Sequence, residues 1–175
     1  MVATRRRFLI GGAAAVPLLG AAGEALAAAR GDRQIVAAAI DLEQQAAVTY
    51  DFAARSRKLA PELRQLARHL RDQEREHADG LARALRGLGG RRPPAPAEPV
   101  PRPPARDFGP FAMELENRLI SAYYHAMPRL SPGLRQPLAS IMACEAQHLV
   151  VLRQALGRDP LPQAFETGRF GAHTR

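Results

Sequence analysis

From Arg33 onward the chain keeps one rhythm, an apolar position followed three or four residues later by the next. Val36, Ile40, Glu43, Ala47, Tyr50 and Ala54 recur at alternating fours and threes, the seam an amphipathic helix turns towards its neighbours. The spacing predicts a first helix from about Arg33 to Lys58, with Asp32 as its N-cap. A second seam, Leu63, Leu66, Leu70, Glu74, His77, Leu81, Leu85 and Leu88, predicts a helix opened by Pro61 and ended by Gly89-Gly90. A third carries Ala112, Met113, Glu116, Ile120 and Tyr123 and should run from near Pro110 to about Met127. A fourth carries Leu138, Ile141, Glu145, His148, Leu152 and Leu156. Ser131 and Pro132 read as its N-cap and first turn, and Gly157 stops it. Pro137 is awkward, because a proline inside a helix removes a hydrogen bond; it predicts a bent first turn or a start nearer Gln136. Runs of β-branched residues that would make strands are missing. The class is all-α.

Each seam is interrupted by residues that do not belong in an apolar interior. Glu43 and Glu116 sit alone, while Glu74 with His77 and Glu145 with His148 form two Glu-x-x-His pairs. Residues three apart share a helix face, so each pair can aim a carboxylate and an imidazole at one spot. One such pair is weak evidence. The flanks make it stronger, because they repeat as well. Leu81 and Leu85 follow His77 as Leu152 and Leu156 follow His148, and Leu42-Glu43 leads to Tyr50 as Leu115-Glu116 leads to Tyr123. The chain therefore contains, twice, a Glu helix, a turn and a Glu-x-x-His helix.

Glu43, Glu74, His77, Glu116, Glu145 and His148, in that order, resemble the di-metal site of the ferritin-like superfamily. There, one Glu from each of two helices and a Glu-x-x-His from each of the other two project into the bundle core. The resemblance spans roughly residues 32–169. From Leu115 to Arg169, with Pro162-Gln163-Ala164-Phe165 after the last helix, the chain also resembles exported bacterial ferritin-like proteins. It implies an antiparallel four-helix bundle, two hairpins joined by a long Pro-rich crossover. The tail offers no fifth helix of the storage-ferritin kind, and no Cys-rich rubredoxin-like module is present.

The crossover is legible on its own terms. Seven prolines lie between Arg91 and Arg106, a stretch that must run extended. About 20 residues at about 3.1 Å each reach about 60 Å, and the preceding helix of about 28 residues is only about 42 Å long. A segment over about 89–109 can therefore span the bundle and start the third helix at its far end. Neither hairpin could bury its seam alone, which argues against two independent domains.

An ionised Glu in an apolar seam costs several kcal/mol unless it is paired or bound to a cation. Two divalent cations would neutralise four such Glu, and the oxygen-rich, one-imidazole donor sets suit iron or manganese better than structural zinc. A buried Glu/His hydrogen-bond network without metal would use the same residues, so both readings stand at this point. Tyr50 and Tyr123, two turns beyond Glu43 and Glu116, are candidates to hydrogen-bond a ligand carboxylate; as plain core aromatics they would look the same. Asp41, Asp72 and Glu114 are candidates to orient the histidines. His69 and His125 fall off the seam, and Glu76, whose repeat partner is Gln147, reads as solvated.

Composition narrows the partners. The formal net charge is +8, carried almost wholly by Arg. The arginines are scattered without interleaved aromatics, which predicts a solvated basic surface and no nucleic-acid partner. Cys144 is the single cysteine, so no intrachain disulfide and no Cys-ligated zinc site can form. It reads as a small buried side chain.

Thr4-Arg5-Arg6-Arg7-Phe8-Leu9, followed by the apolar Ile10–Ala22 run, matches a twin-arginine signal, and Ala25-Leu26-Ala27 supplies a cleavage site. The expectation is a signal peptide over 1–27 and a ferritin-like domain over 28–175 with an irregular tail over about 158–175. Its partners would be the twin-arginine export machinery and metal ions, its place the periplasm, cell envelope or exterior. The resemblance implies a di-iron site, with manganese as the alternative, that oxidises Fe(II) or reduces oxygen or peroxide in the manner of a ferroxidase or peroxidase. A non-catalytic metal-binding or structural bundle is the competing reading. Either can be a homo-oligomer.

Overall fold

The computed structural model describes residues 16–99, 101 and 107–166, with side chains from residue 28 onward. The twin-arginine motif lies outside the described residues. Four helices make the fold: α1 (Val16–Arg55), α2 (Pro61–Gly87), α3 (Phe108–Ala126) and α4 (Pro132–Ala155). A single 3₁₀ turn, Met127–Arg129, links the last two. Among the described residues there is no strand, and no helix is long and apolar enough to cross a membrane.

The helices pair as two hairpins, α1 with α2 and α3 with α4. The hairpins meet through α1 against α3 and, more sparingly, α2 against α4. Named contacts fix the directions. At one end, Arg33 Nη1 donates to the Leu88 carbonyl at 3.2 Å, and the Ser131 backbone N–H donates to Asp32 Oδ1 at 3.0 Å. At the other end the Tyr50 and Phe108 rings meet edge to face, centroids 6.2 Å apart. Leu88 and Phe108 therefore lie at opposite ends of the bundle, a separation that the length of the proline-rich stretch allows. Gln44, buried on α1, fastens that stretch: its Nε2 donates to the Pro93 and Pro94 carbonyls, and its Oε1 accepts from Arg92 Nε at 2.8 Å.

The helix ends follow local chemistry. Pro61 and Pro132 occupy first-turn positions, where the missing N–H would have had no intrahelical partner anyway. Gly89 (φ 74°) and Gly157 (φ 64°) adopt the left-handed conformation just beyond α2 and α4. The Gly90 N–H then reaches the Leu85 carbonyl at 2.9 Å, and the Arg158 N–H reaches Arg153 at 2.8 Å. These are the paired closing bonds of a Schellman end, made in the same way in both halves.

Two sequence expectations need correction. The first helix starts at Val16, well before Arg33, and Asp32 is not its N-cap. The Ala-rich segment upstream contains no residue that must break a helix, so Asp32 lies inside α1, 3% exposed. Its carboxylate instead accepts from the first orphan N–H before α4, doing for α4 what the Ser131 side chain does not. The Pro137 conflict resolves without displacing the helix start: α4 begins at Pro132 and continues through Pro137.

Two apolar clusters fill the bundle. One, with Tyr50, Leu70, Phe108, Leu119, Ile120 and Leu149, lies towards the α3 start. The other, with Val36, Ile40, Leu81, Leu85, Tyr123 and Leu138, lies towards the Asp32 end. Between them sit the polar residues that the seams carried inward.

Candidate metal centre

All four predicted acids are fully buried: Glu43, Glu74, Glu116 and Glu145 each expose 0% of their surface. His148 is buried with them, and His77 is nearly so, at 13% of its side chain. The two imidazole rings stack, centroids 5.9 Å apart and planes within 20°. Each turns Nδ1 towards the acids. His77 Nδ1 lies 3.4 Å from Glu43 Oε2, 3.4 Å from Glu74 Oε2 and 2.9 Å from Glu145 Oε1. His148 Nδ1 lies 3.2 Å from Glu74 Oε1, 3.3 Å from Glu116 Oε2 and 3.0 Å from Glu145 Oε2.

Those distances sort the acids by role. Glu74 and Glu145 each give one oxygen to the His77 side and the other to the His148 side. Glu43 faces only His77, and Glu116 only His148. Two ligand groups result, Glu43-Glu74-His77-Glu145 and Glu74-Glu116-Glu145-His148, with the ligating atoms of each within 4.8 Å of one another. The Glu-x-x-His acids are thus shared between the groups, and the lone acids are terminal.

The fit to metal can be judged from the polar atoms themselves. Both oxygens of Glu74, both of Glu145, Glu43 Oε2 and His77 Nδ1 are buried with no hydrogen-bond partner. An unsatisfied buried polar atom costs about 1–3 kcal/mol, and more if charged. A self-sufficient Glu/His network would pair these atoms with one another. Here the unsatisfied atoms converge on the two ligand groups, which favours cations as their partners.

The outward atoms, by contrast, are anchored. Tyr50 donates its hydroxyl proton to Glu116 Oε1, and Tyr123 donates to Glu43 Oε1. Each tyrosine therefore serves the terminal acid of the other half. The crossing is one that spacing alone did not show. Burial, then the neighbouring Glu116, keeps the Tyr50 phenol protonated well above its ordinary range. Tyr123 is held the same way by burial and Glu43. Both remain donors at any working pH.

Asp41, Asp72 and Glu114 do not orient the histidines. All three are exposed; Asp72 pairs with Arg71 and Arg75, and Glu114 with Arg118. That part is taken by Gln73, whose Oε1 lies 2.9 Å from His148 Nε2. An amide oxygen can only accept, so Nε2 carries the proton and Nδ1 faces the acids. Gln73 escaped the sequence reading because it stands one residue before the bridging acid and reaches across to the opposite half. The duplication held the clue, since its repeat equivalent is Cys144. That residue is half-buried, not fully buried as expected, and its Sγ lies 3.5 Å from His148 Nε2. Hydrogen bonds to His148 and then His77 pull its thiol down to about 7. His69, His125 and Glu76 are exposed, as their off-seam positions require.

Proton positions follow from the crowding. Burial, then the charges of Glu145 and Glu116, pushes Glu74 well above the carboxylate range. Burial likewise lifts Glu116 to about 8 against the pull of His148. Glu145 stays ionised: burial opposes its charge, but the close imidazoles of His148 and His77 outweigh it. Burial also opposes charge on the imidazoles, yet Cys144 and the surrounding acids hold both above their usual range. Without metal, the crowding therefore favours protons on the acids Glu74 and Glu116 and on the two imidazoles.

A family model described as a ferritin-like domain matches residues 31–158. The chain belongs to the ferritin-like family. Comparison with curated protein sequences returns no match. Among solved structures, the chain is similar to a conserved hypothetical protein from Mycobacterium tuberculosis, with TM-score 0.67 and 20% identity over 79% of this chain and 99% of that one. At that identity the likeness speaks for the fold alone. The matched residues of this ferritin-like chain include all six acids and imidazoles of the centre.

Proposed function

We propose that this ferritin-like protein binds two metal ions per chain, iron in its working state, and uses them in oxidation–reduction with oxygen or peroxide. The observation that carries the reading is the pair of shared acids, Glu74 and Glu145, each with both oxygens buried and unpaired. Three carboxylates and one imidazole per ion are a hard, oxygen-rich set, which suits Fe(II) or Mn(II) over structural zinc. Charge agrees: four carboxylates and two neutral imidazoles would be balanced by two divalent ions.

The protein's own part is to hold and neutralise. Tyr50 and Tyr123 fix the terminal acids, and Gln73 fixes His148. The two apolar clusters exclude water from both ends of the centre. Two irons held by these residues would supply a redox couple able to take up more than one electron from reduced substrate. Residues 1–27, on this proposal, direct the protein through the twin-arginine route before cleavage after Ala27. Intact mass of exported protein beginning at Ala28 would support that, and retention of residues 1–27 would refute it.

The decisive experiment loads metal-free protein anaerobically with Fe(II) and then adds oxygen or hydrogen peroxide. Near-ultraviolet ferric absorbance should develop much faster than in buffer, with about two irons bound per chain. If two irons bind but oxidise no faster than free iron, the centre is a structural metal site. If no metal binds, the cluster is a protonated Glu/His network.

A further inference from the structure

The two histidines are not equally confined. His148 exposes 3% of its side chain and His77 13%, while all four acids expose none. The opening over His77 is a groove between α2 and α4, with a volume of about 760 Å³, whose floor is formed by His77 and Cys144. Small residues on both walls, Gly80 and Ala84 on α2 and Ser140 on α4, keep it wide. This is also the seam where the two hairpins pack most sparingly. The cavity under the crossover and the one between α1 and α3 are lined by no ligand of the centre.

The restraints behind the two rings differ in the same sense. Behind His148 stands the Gln73 amide at 2.9 Å. The repeat-equivalent position holds Cys144, whose sulfur, a weak acceptor, lies 3.5 Å from His148 Nε2 and is shared with His77, so that His77 has the thiol alone and His148 the amide as well. The ring that faces solvent is the ring with the softer backing.

We infer that the α2–α4 groove is the port of the metal centre and that His77 is the ligand that swings to open it. Divalent ions and small oxidants of the size of peroxide would reach the buried acids past Cys144 and behind the displaced imidazole. His148, Glu116 and Tyr50 would stay fixed. The inference rests on the proposed metal site, and names how that site is filled.

The test follows Co(II), a coloured divalent probe kept free of oxygen, as it binds metal-free full-length protein in a stopped-flow instrument. A Cβ at Gly80 would meet only the flexible Arg83 guanidinium, at 3.7 Å. Gly80→Phe should therefore fill the groove without disturbing the core. It should slow Co(II) uptake by an order of magnitude or more while leaving the final stoichiometry unchanged. Ala38→Phe, which fills the α1–α3 groove instead, should bind at the wild-type rate. Cys144→Gln, which gives His77 a backing like that of His148, should also slow uptake. Should Gly80→Phe fold poorly, Ser140→Phe fills the same groove from the α4 wall without touching either histidine's backing. Wild-type uptake rates in the blocked proteins, or equal slowing by Ala38→Phe, would overturn the port while leaving the metal site intact. No Co(II) uptake by the wild type would overturn both.

Discussion

The two halves of the bundle carry the same three-residue grammar, a lone Glu and a Glu-x-x-His, and differ in what stands behind it. In the second half, His148 is sealed from solvent and held by an amide from the opposite hairpin. In the first, His77 borders an open groove and is backed by a thiol. The acids, in contrast, are treated alike: each terminal Glu accepts a tyrosine from the other half, and each bridging Glu touches both imidazoles. Duplication has kept the charges symmetric and let access and rigidity diverge. On the proposed function, that division would let one centre both hold ions and be filled.

The sharpest test of the symmetric part is the bridging acids. Glu145→Ala should abolish binding of both ions, because its two oxygens serve both groups. Glu43→Ala should chiefly lose one ion, since its carboxylate faces His77 alone. Metal analysis after loading and desalting reads the difference. A retained second ion in Glu145→Ala would show that the acids do not bridge.

The asymmetric part should appear next in Gln73→Ala against Cys144→Ala. Loss of a partner behind a metal-bound histidine typically weakens metal binding about 10–100-fold. Gln73→Ala should show that loss for one of the two ions by calorimetric titration. Cys144→Ala should show much less. Equal effects would mean that the amide and the thiol restrain their rings alike.

Stability should return to symmetry. Tyr50→Phe leaves Glu116 Oε1 without its donor, and Tyr123→Phe does the same to Glu43. Each should cost about 1–3 kcal/mol, which at this chain length lowers Tm by about 2–4 °C per kcal/mol. Thermal melts of the two metal-free variants should agree closely. A large difference would mark one tyrosine as a plain core aromatic.

The smallest effect is in pH. Glu74 and Glu116 have folded-state pKa values above their ordinary 4.5, about 8 for Glu116. Their contribution is complete below pH 4.5 and is lost as pH rises through the folded values. His77 and His148, also raised from 6.5, lose theirs only above neutrality. Glu145, shifted the other way, loses its contribution only below pH 4.5, outside this window. Metal-free protein should therefore melt lower at pH 8.5 than at pH 6. The Tm gain on adding Mn(II) should grow over the same interval, as protons cease to compete for the ligands. A gain that stays constant would place those protons elsewhere.

Much of this was legible in the chain. The seams showed four helices and, apart from the start of the first at Val16, placed their ends within a few residues, because Pro61, Pro132, Gly89 and Gly157 punctuate them by backbone chemistry. The six buried acids and imidazoles were legible because each sits on an apolar seam where a charge needs a reason. Two things were not. Helix periodicity shows which residues share a face of one helix, not which face of another helix they meet. Hence Gln73 and the crossed tyrosine partners came only with the packing. Asp32 misled for a related reason: an Asp before an apolar run reads as a local cap, yet its partner, the Ser131 N–H, lies 99 residues away.

The proline-rich crossover contributes none of the six acids and imidazoles. Its described fastenings are to one hairpin, through Gln44 on α1 and Asp79 on α2. The two hairpins are attached to each other through the shared acids and through tyrosine bonds that join residues 66 and 80 apart in sequence. Cut in the crossover, the protein would become two pieces, each carrying half a centre and half a seam. Their reunion would cost only the effective concentration that the linker had supplied. Metal would then act as an adhesive between fragments, and complementation by two separately made hairpins would rise and fall with the ion in solution.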